Sequence, residues 1–285
     1  MKKPERTHSL AEGSPLSLPI RLLEIFGSFW IRLFSFLGGI VWLLIAVVKL
    51  IWISCILNKV RFGKGAFINQ IVRIGVRSIG IVCLVCGCIG LILAIQMQPP
   101  LAEFGQADKI ANIVGVAVLR ELGPLIAAIV LTGFAGASIA AELGTMVVGE
   151  EIEALHSQAL NPIRFLVMPR VLATVLSLTL LTIIGDVVAI VAACFVTVQF
   201  LGVPYDVYID NTLTQVVLAD FTTGLMKAAV FGMILAAIAC HNGLKVSGGA
   251  AGVGKATTDT VVQTILTIVI VDMIFTLVFF QFGWT

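Results

Sequence analysis

Long runs of apolar residues dominate this chain, and polar residues are confined to shorter segments between them. A helix rises about 1.5 Å per residue, so roughly twenty apolar residues suffice to cross the hydrocarbon core of a bilayer. Five runs meet this length, at residues 78–97, 119–141, 171–200, 221–240 and 261–282. The pattern therefore predicts an all-α integral membrane protein with five transmembrane spans.

A sixth apolar run, residues 22–57, is interrupted by Arg32 and Lys49 and lies between two basic segments. The flanking basic residues are Lys2, Lys3, Arg6 and Arg21 on one side, and Lys59, Arg61, Lys64, Arg73 and Arg77 on the other. Lys and Arg concentrate in cytoplasmic loops, so a single crossing would leave one basic group outside. We therefore expect an interfacial or elbow helix with both ends cytoplasmic. A single crossing is the alternative.

Basic residues in the remaining loops predict the orientation of the spans. The linkers 98–118 and 201–220 contain one basic residue between them, Lys109, and are expected outside. The other two loops contain Arg164, Arg170, Lys245 and Lys255, and are expected inside. This arrangement predicts a cytoplasmic N-terminus and a C-terminus on the outer side.

Composition agrees with a protein whose solvent is mostly lipid. Hydrophobic residues make up 59% of the chain, charged residues 12%, and the mean hydropathy is +1.09. Soluble domains contain about 25% charged residues. The net charge of +2 and the lack of a basic tract give no indication of a nucleic-acid partner.

Five charged residues lie within the predicted spans, and none falls clearly in the inner half. They are Arg120, Glu121, Asp186, Lys227 and Asp272. Charges inside a membrane are costly and usually face a cavity or a charged partner. The five residues predict a partly hydrated substrate cavity that opens outward. The alternative is buried ion pairing that only fixes helix packing, for example between Lys227 and one of the aspartates.

Small residues recur every four positions along two adjoining stripes of the second span. The first stripe contains Thr132, Gly136, Ala140 and Gly144, and the second contains Gly133, Ala137 and Ala141. Small residues at this spacing let helix backbones approach closely in lipid. The pattern predicts either a tight seam with another subunit or ordinary packing within the chain.

An acidic segment, residues 142–161, follows the second span on the predicted cytoplasmic side. Its acidic residues are Glu142, Glu150, Glu151 and Glu153, and its apolar residues include Met146, Ile152 and Leu155. Pro162 is expected to end this helix, because proline disfavours helical geometry in the preceding residue. The segment could bind a basic groove of a partner, or it could be a solvated connector.

Several motifs of enzymes and metal sites are lacking or incomplete. Gly249, Gly254 and Lys255 match the beginning of a phosphate-binding loop, but Ala256 replaces the hydroxyl residue that holds magnesium. We interpret residues 243–258 as a flexible cytoplasmic loop leading to the fifth span. The three histidines are scattered and no nucleophile has a base at a recognisable spacing. We therefore expect no metal, no cofactor and no enzymatic activity of the chain itself.

Ordered motifs give the chain a recognisable family resemblance. They are RELGP at 120–124, GFAGASIAAELGTM at 133–146, EEIEAL at 150–155, NPIRFLVMPRVLA at 161–173 and GVGKATTDTVV at 252–262. These motifs resemble the MlaE/YrbE family, the permease subunits of ABC transporters that work with MCE proteins. The resemblance covers residues 22–285 and leaves 1–21 as a polar cytoplasmic extension.

The resemblance implies a homodimer that moves phospholipids or related lipids between the inner and outer membranes and so maintains outer-membrane lipid asymmetry. A separate cytoplasmic ATPase would bind the acidic helix, through Glu142, Met146, Glu150, Glu151, Glu153 and Leu155. A periplasmic MCE-domain protein and a small STAS-like cytoplasmic subunit are the other implied partners. The implied location is the inner membrane of a bacterium.

Two departures from the family pattern are visible. Phe134 stands where the family commonly has arginine, and residues 149–151 read Gly-Glu-Glu where it commonly has Thr-Glu-Gln. Two other functions stay open from the residues alone. One is an ATP-independent carrier with Asp186, Lys227 and Asp272 as a proton relay, and the other is a scaffold that transports nothing.

Overall fold

A computed structural model describes residues 18–57 and 64–283. The described residues are mostly helical and contain no strand, which confirms the predicted all-α class. The α-helices are α1 Leu18–Leu57, α2 Lys64–Ile74, α3 Ile79–Glu103, α4 Ile110–Ala117, α5 Gly123–Leu131, α6 Ala137–Val148, α7 Glu151–Ser157, α8 Met168–Gln199, α9 Tyr205–Gln215, α10 Leu218–Leu244 and α11 Gly249–Gln281.

Five helical segments in the described part of the chain are long and apolar enough to cross a membrane, as predicted. They are Gly65–Glu103, Ile110–Val148, Ile163–Gln199, Leu218–Leu244 and Gly249–Gln281. Three of them have 37 or 39 residues, well above the roughly twenty that a bilayer requires. The helices therefore extend beyond the predicted spans and carry polar residues at their ends.

Three π-helical turns interrupt the spanning segments, at Val118–Leu122, Thr132–Gly136 and Ile163–Val167. The first turn ends two residues before Pro124, which has no backbone N–H to donate to a carbonyl four residues earlier. The N–H of Gly123 instead donates to the carbonyl of Val118, five residues back. Such turns are frequent at functional sites, and this one contains Arg120 and Glu121.

The structure changes the boundaries predicted for the acidic helix at 142–161. Helix α6 continues from the second span to Val148, and the chain then breaks at Gly149 and Glu150. Glu150 adopts a left-handed conformation with φ of 58°, which an α-helix cannot continue through. Helix α7 therefore contains only seven residues. Glu142 and Met146 belong to the spanning segment and not to this short helix.

The interpretation of 243–258 as a flexible loop is wrong for most of that range. Helix α11 begins at Gly249, directly after Gly248 with φ of 86°. Glycine adopts this conformation without steric cost, so the chain turns sharply and the helix starts early. Gly254 and Lys255 consequently lie within α11, whereas a phosphate-binding loop needs its glycines ahead of the helix.

Helix α10 is the central helix of the bundle, since it packs against α5, α6, α8 and α11. In the most apolar 18-residue stretch of α10, 67% of the residues are buried, whereas 11% are buried in the corresponding stretch of α11. Glycines allow the close packing around it. Gly224 of α10 lies against the carbonyl of Leu119, and Gly232 lies against the backbone of Val175. Helix α3 packs along α8 in the same way, with Gly90 against the backbone of Ala189.

Helix α1, Leu18–Leu57, covers the whole of the predicted interfacial run, 22–57. The chain divides into two compact units within α1, the first ending at Trp42 and the second beginning at Leu43. In the first unit the Trp30 ring meets Phe26 edge to face, with centroids 6.0 Å apart, and stacks on Phe34 at 5.8 Å. The interfacial placement of α1 stays a prediction. Residues 1–17 of the predicted polar extension lie outside the described residues.

Candidate functional site

Three of the five predicted cavity residues form one polar network between the second, fourth and fifth spans. The ammonium of Lys227 lies 2.5 Å from Glu121 Oε2 and 2.9 Å from Asp272 Oδ1. The Thr276 hydroxyl completes the network at 3.1 Å from Lys227 Nζ and 3.0 Å from Glu121 Oε1. Lys227 sits over the ring of Phe279 at 6.0 Å from its centroid. One cation thus joins two acids from different helices.

The burial of this network is uneven. The side chain of Lys227 is 1% exposed and that of Asp272 is 14% exposed, whereas Glu121 is 38% exposed. Thr276 is also exposed. The network is therefore closed on the α10 side and accessible on the side where Glu121 and Thr276 meet the surface. A polar ligand could reach the acids there without displacing a helix.

Arg120, the fourth predicted cavity residue, has a separate partner. Its guanidinium forms an ion pair with Asp220 in the first turn of α10. Asp220 is almost fully buried, and its other oxygen accepts a hydrogen bond of 3.1 Å from the backbone N–H of Val217. An acid at this position also stabilises the positive end of the helix. The pair fixes the π-helical turn onto the beginning of α10.

Asp186, the fifth predicted residue, does not join this network. It is buried in the middle of α8, and its Oδ1 has no hydrogen-bond partner among the described residues. The same oxygen lies directly against Gly123, where a methyl group would clash with it. No ion pair between Asp186 and Lys227 occurs in the described structure. The structure thus brings together Glu121, Lys227 and Asp272 and leaves Asp186 apart.

Glu142 occupies a second ion-pair cluster at the opposite end of the bundle. It pairs with Arg73 of α2 and with Arg170 of α8, the latter at 3.1 Å. Arg73 also donates to the Ser138 hydroxyl at 3.0 Å, and Arg170 donates to the carbonyl of Leu166 at 2.9 Å. Glu142 therefore joins three spanning segments, and its role in binding an ATPase stays a prediction.

The two small-residue stripes of the second span have different environments. Thr132, Gly136, Ala140 and Gly144 are buried. A methyl group added to Gly136 would lie 3.8 Å from the side chains of Leu235 and Thr260, so this stripe packs within the chain against α10 and α11. On the second stripe Gly133 is exposed, and a methyl group added there would meet no atom within 4 Å. Ala137 is half-buried. Only the second stripe is available for another subunit.

Helix α7 exposes most of the acids that the sequence assigned to a partner surface. Glu150, Glu151 and Glu153 are exposed, and Leu155 is half-buried. Met146, on α6, is half-buried. The exposed part of the predicted surface is thus formed by Glu150, Glu151 and Glu153, and its role in binding an ATPase stays a prediction.

The sequence profile described as Permease MlaE matches residues 67–278, which include nearly all of the five spans. The chain belongs to the MlaE permease family. In this MlaE-family protein, the exposed acids of α7 and the Lys227 network both lie inside the matched region.

Curated relatives extend this assignment. The MlaE-family chain is 36% identical over 213 residues to a probable ABC transporter permease protein of Rickettsia typhi, covering 75% of this chain and 82% of the relative. It is 32% identical over 221 residues to a probable ABC transporter permease protein of Synechocystis, covering 78% and 84%. It is 33% identical over 214 residues to the chloroplast protein Trigalactosyldiacylglycerol 1 of Arabidopsis thaliana, covering 75% and 61%. It is therefore a multi-pass membrane protein and a transport component.

The sequence suggested a pairing of Lys227 with an aspartate, as in Lys227–Asp272, but it did not identify the other partners of these charges in the MlaE-family protein. Thr276 completes the Lys227 network, Arg73 and Arg170 complete the Glu142 cluster, and Asp220 is the separate partner of Arg120. Asp220 had a local signal, because an acid in the first turn of a helix often caps it. The two arginines and Thr276 had none, since their partners are distant along the chain. Within the described ranges, no group of three metal-ligating side chains comes together.

Proposed function

We propose that this protein is the permease subunit of an ABC transporter that moves phospholipids or related lipids between two membranes. The observation that carries the proposal is the Glu121–Lys227–Asp272 network, which is accessible beside the least covered spanning helix, α11. Polar groups next to an apolar face match the two parts of a lipid molecule. The chain also belongs to the MlaE permease family, which supports a role in transport.

The uncovered face of α11 supports a paired arrangement with a second copy of the chain. Its large exposed residues are Val262, Leu266, Val269, Ile270, Met273 and Leu277. Helix α11 packs on the π-helical turn Thr132–Gly136, and Gly133 and Phe134 of that turn are exposed as well. An apolar face of this length next to a small-residue stripe favours close helix packing in lipid. Two copies joined here would enclose the accessible network.

The chemistry of this face fits a lipid better than a small polar solute. In the enclosed cavity, apolar α11 residues would hold acyl chains by van der Waals contact. Glu121 and Arg120, which are partly exposed, would contact the headgroup. One relative carries the name of a diacylglycerol glycolipid, trigalactosyldiacylglycerol, which supports a lipid with two acyl chains. Phe134 adds apolar surface where the family commonly has arginine.

Helix α7 is the proposed contact for a cytoplasmic ATPase. Its exposed acids, Glu151 and Glu153, are suited to a basic groove. The helix follows α6 directly, and α6 is joined to α2 and α8 through Glu142. Movement imposed on α7 would therefore pass to three spanning segments. In the proposed orientation, α7 lies on the cytoplasmic side of the inner membrane and α9 lies on the outer side. An MCE-domain protein would receive the lipid on the outer side, and a STAS-like subunit would accompany the ATPase on the cytoplasmic side.

A pull-down from native membranes in mild detergent, followed by mass spectrometry of proteins and lipids, tests this function. We expect an ABC ATPase, an MCE-domain protein and phospholipid with the tagged chain. A chain recovered reproducibly without any ATPase would overturn the proposal.

A charge-reversal variant tests the ATPase contact itself. The variant combines Glu151→Lys with Glu153→Lys. Glu150 is left unchanged, because it holds the left-handed turn before α7. We expect the variant to remain in the membrane and to lose most of its ATPase. Asp206→Lys with Asp210→Lys, two exposed acids on α9, is the matched control and should retain it. Full ATPase recovery with the α7 variant would exclude α7 as the contact.

A further inference from the structure

The end of α8 and the short helix α9 border an open cavity that the Lys227 network does not use. Its volume is about 330 Å³, and its walls include Ile190, Val191, Cys194, Phe195, Tyr208 and Ile209. This volume is within the range of small-molecule sites. The cavity is nearly all apolar, so it excludes a charged or strongly polar ligand.

An exposed apolar stripe along α8 leads into this cavity. The stripe contains Leu176, Leu180, Ile184, Val187, Val191 and Phe195, at spacings of three or four residues. These spacings place the side chains on one face of the helix, and the last two also line the cavity. A face of this kind inside a bilayer is covered by acyl chains or by another helix. The cavity is therefore continuous with a surface that lipid reaches.

Polarity along the cavity follows the polarity of a lipid molecule. Residues nearer the middle of α8, such as Ile190 and Val191, are apolar, whereas Gln199 ends the helix. Tyr205 and Thr212 of α9 line the cavity too, and Tyr205 is exposed. Tyrosine is enriched at the membrane–water interface. An acyl chain directed toward the middle of the membrane would thus have its ester end beside these polar groups.

Tyr208 provides a hydrogen-bonding group in the wall of the cavity. Its side chain is 1% exposed, and its hydroxyl lies 3.4 Å from the carbonyl of Ile190. That distance exceeds the usual 2.5–3.0 Å of a hydroxyl–oxygen hydrogen bond. Burial raises the pKa of the Tyr208 hydroxyl, so it remains a donor at physiological pH. The hydroxyl therefore lies at the Ile190 end of the cavity, away from Gln199, and it is not the group that meets the ester.

We propose that the α8–α9 cavity binds one acyl chain of a bilayer lipid, with the ester end of that chain near Gln199, Tyr205 and Thr212. This site is separate from the Glu121–Lys227–Asp272 network and goes beyond the transport function proposed above. A partner helix is the less suitable occupant. A helix about 10 Å wide would occupy roughly 1,000 Å³ over the length of residues 190–199, about three times the 330 Å³ present, so most of it would lie outside the cavity.

Photolabelling of the isolated chain tests this site without any ATPase or transport assay. The probe is phosphatidylcholine with a diazirine in one acyl chain, incorporated into phosphatidylcholine nanodiscs. After irradiation, mass spectrometry should find several-fold more label on peptides 190–199 and 205–212 than on peptide 176–184, the part of the α8 stripe that lies outside the cavity. Equal labelling of the whole stripe would mean bulk lipid only and would overturn the proposal.

Two variants fill the cavity from opposite walls, and one control leaves it empty. Cys194→Trp on α8 and Ile209→Trp on α9 should each reduce cavity labelling several-fold. Val187→Trp, on the same stripe but outside the cavity, should not. The melting temperature of each cavity-filling variant is measured first, and only variants that keep the wild-type value are compared. If labelling of the cavity is unchanged in those variants, the proposal is overturned. Labelling that disappears when co-purified proteins are retained would assign the cavity to a partner helix instead.

Discussion

The ammonium of Lys227 on α10 lies 2.9 Å from the carboxylate of Asp272 on α11, at a depth where the lysine is 1% exposed. Removing a charge from water costs several kcal/mol per ion, so such a pair rarely adds stability over an apolar one. Helix α11 otherwise has few buried residues. The ion pair therefore specifies how the least covered helix is oriented against the central one, with Asp272 toward Lys227 and the apolar residues outward.

Removal of Lys227 should destabilise the bundle strongly. Lys227→Met leaves Glu121 and Asp272 without their cation, and we expect a loss of about 3–5 kcal/mol, typical for a broken buried pair. Chemical unfolding in detergent, followed by tryptophan fluorescence, measures the change. Lys245→Met, an exposed lysine at the end of α10, serves as the control. A loss of less than 1 kcal/mol in Lys227→Met would contradict the structural role of the pair.

Glu142→Gln should loosen three spanning segments at once. The substitution removes the charge that faces Arg73 and Arg170. Hydrogen bonds to charged groups contribute about 1.5–3 kcal/mol, and we expect a loss in this range. Glu151→Gln is the matched control, because Glu151 is exposed on α7. Equal stability of the two variants, measured by thermal unfolding, would show that the cluster adds nothing to the fold.

Two glycine substitutions should differ in sign. A methyl group on Gly224 would meet the carbonyl of Leu119, whereas one on Gly133 would meet no atom within 4 Å. Overpacking costs about 1–3 kcal/mol, and replacing glycine by alanine in a helix gains up to about 1 kcal/mol. Gly224→Ala should therefore lower the melting temperature, and Gly133→Ala should leave it equal or higher. The reverse order would refute the packing described for α10.

A bulky residue at Gly133 should block pairing without disturbing the fold of one chain. Gly133→Trp fills the exposed stripe, and Gly80→Trp on α3, also in open space, is the control. Light scattering of the purified chains should give a dimer for the control and a monomer for Gly133→Trp. A dimer in both variants would place the contact between copies elsewhere.

The number and order of the spans could be read from the sequence because hydropathy is summed over about twenty residues and tolerates local error. The exact ends could not, since Gly248 and Glu150 depend on single backbone conformations that composition does not encode. The buried stripe Thr132–Gly136–Ala140 and the exposed Gly133 were likewise indistinguishable in the sequence, because both have the same spacing and the same residue types.

The charged residues show most clearly what the sequence determined and what the tertiary structure determined. Their positions within apolar runs were enough to predict that they face polar partners or a cavity, because an unpaired charge in lipid is costly. The choice of partners needed the tertiary structure. Arg120 and Glu121 are neighbours in sequence, yet successive side chains of a helix point in different directions, and Arg120 meets Asp220 while Glu121 meets Lys227. Packing between distant helices, and not the sequence around each charge, determines these pairs.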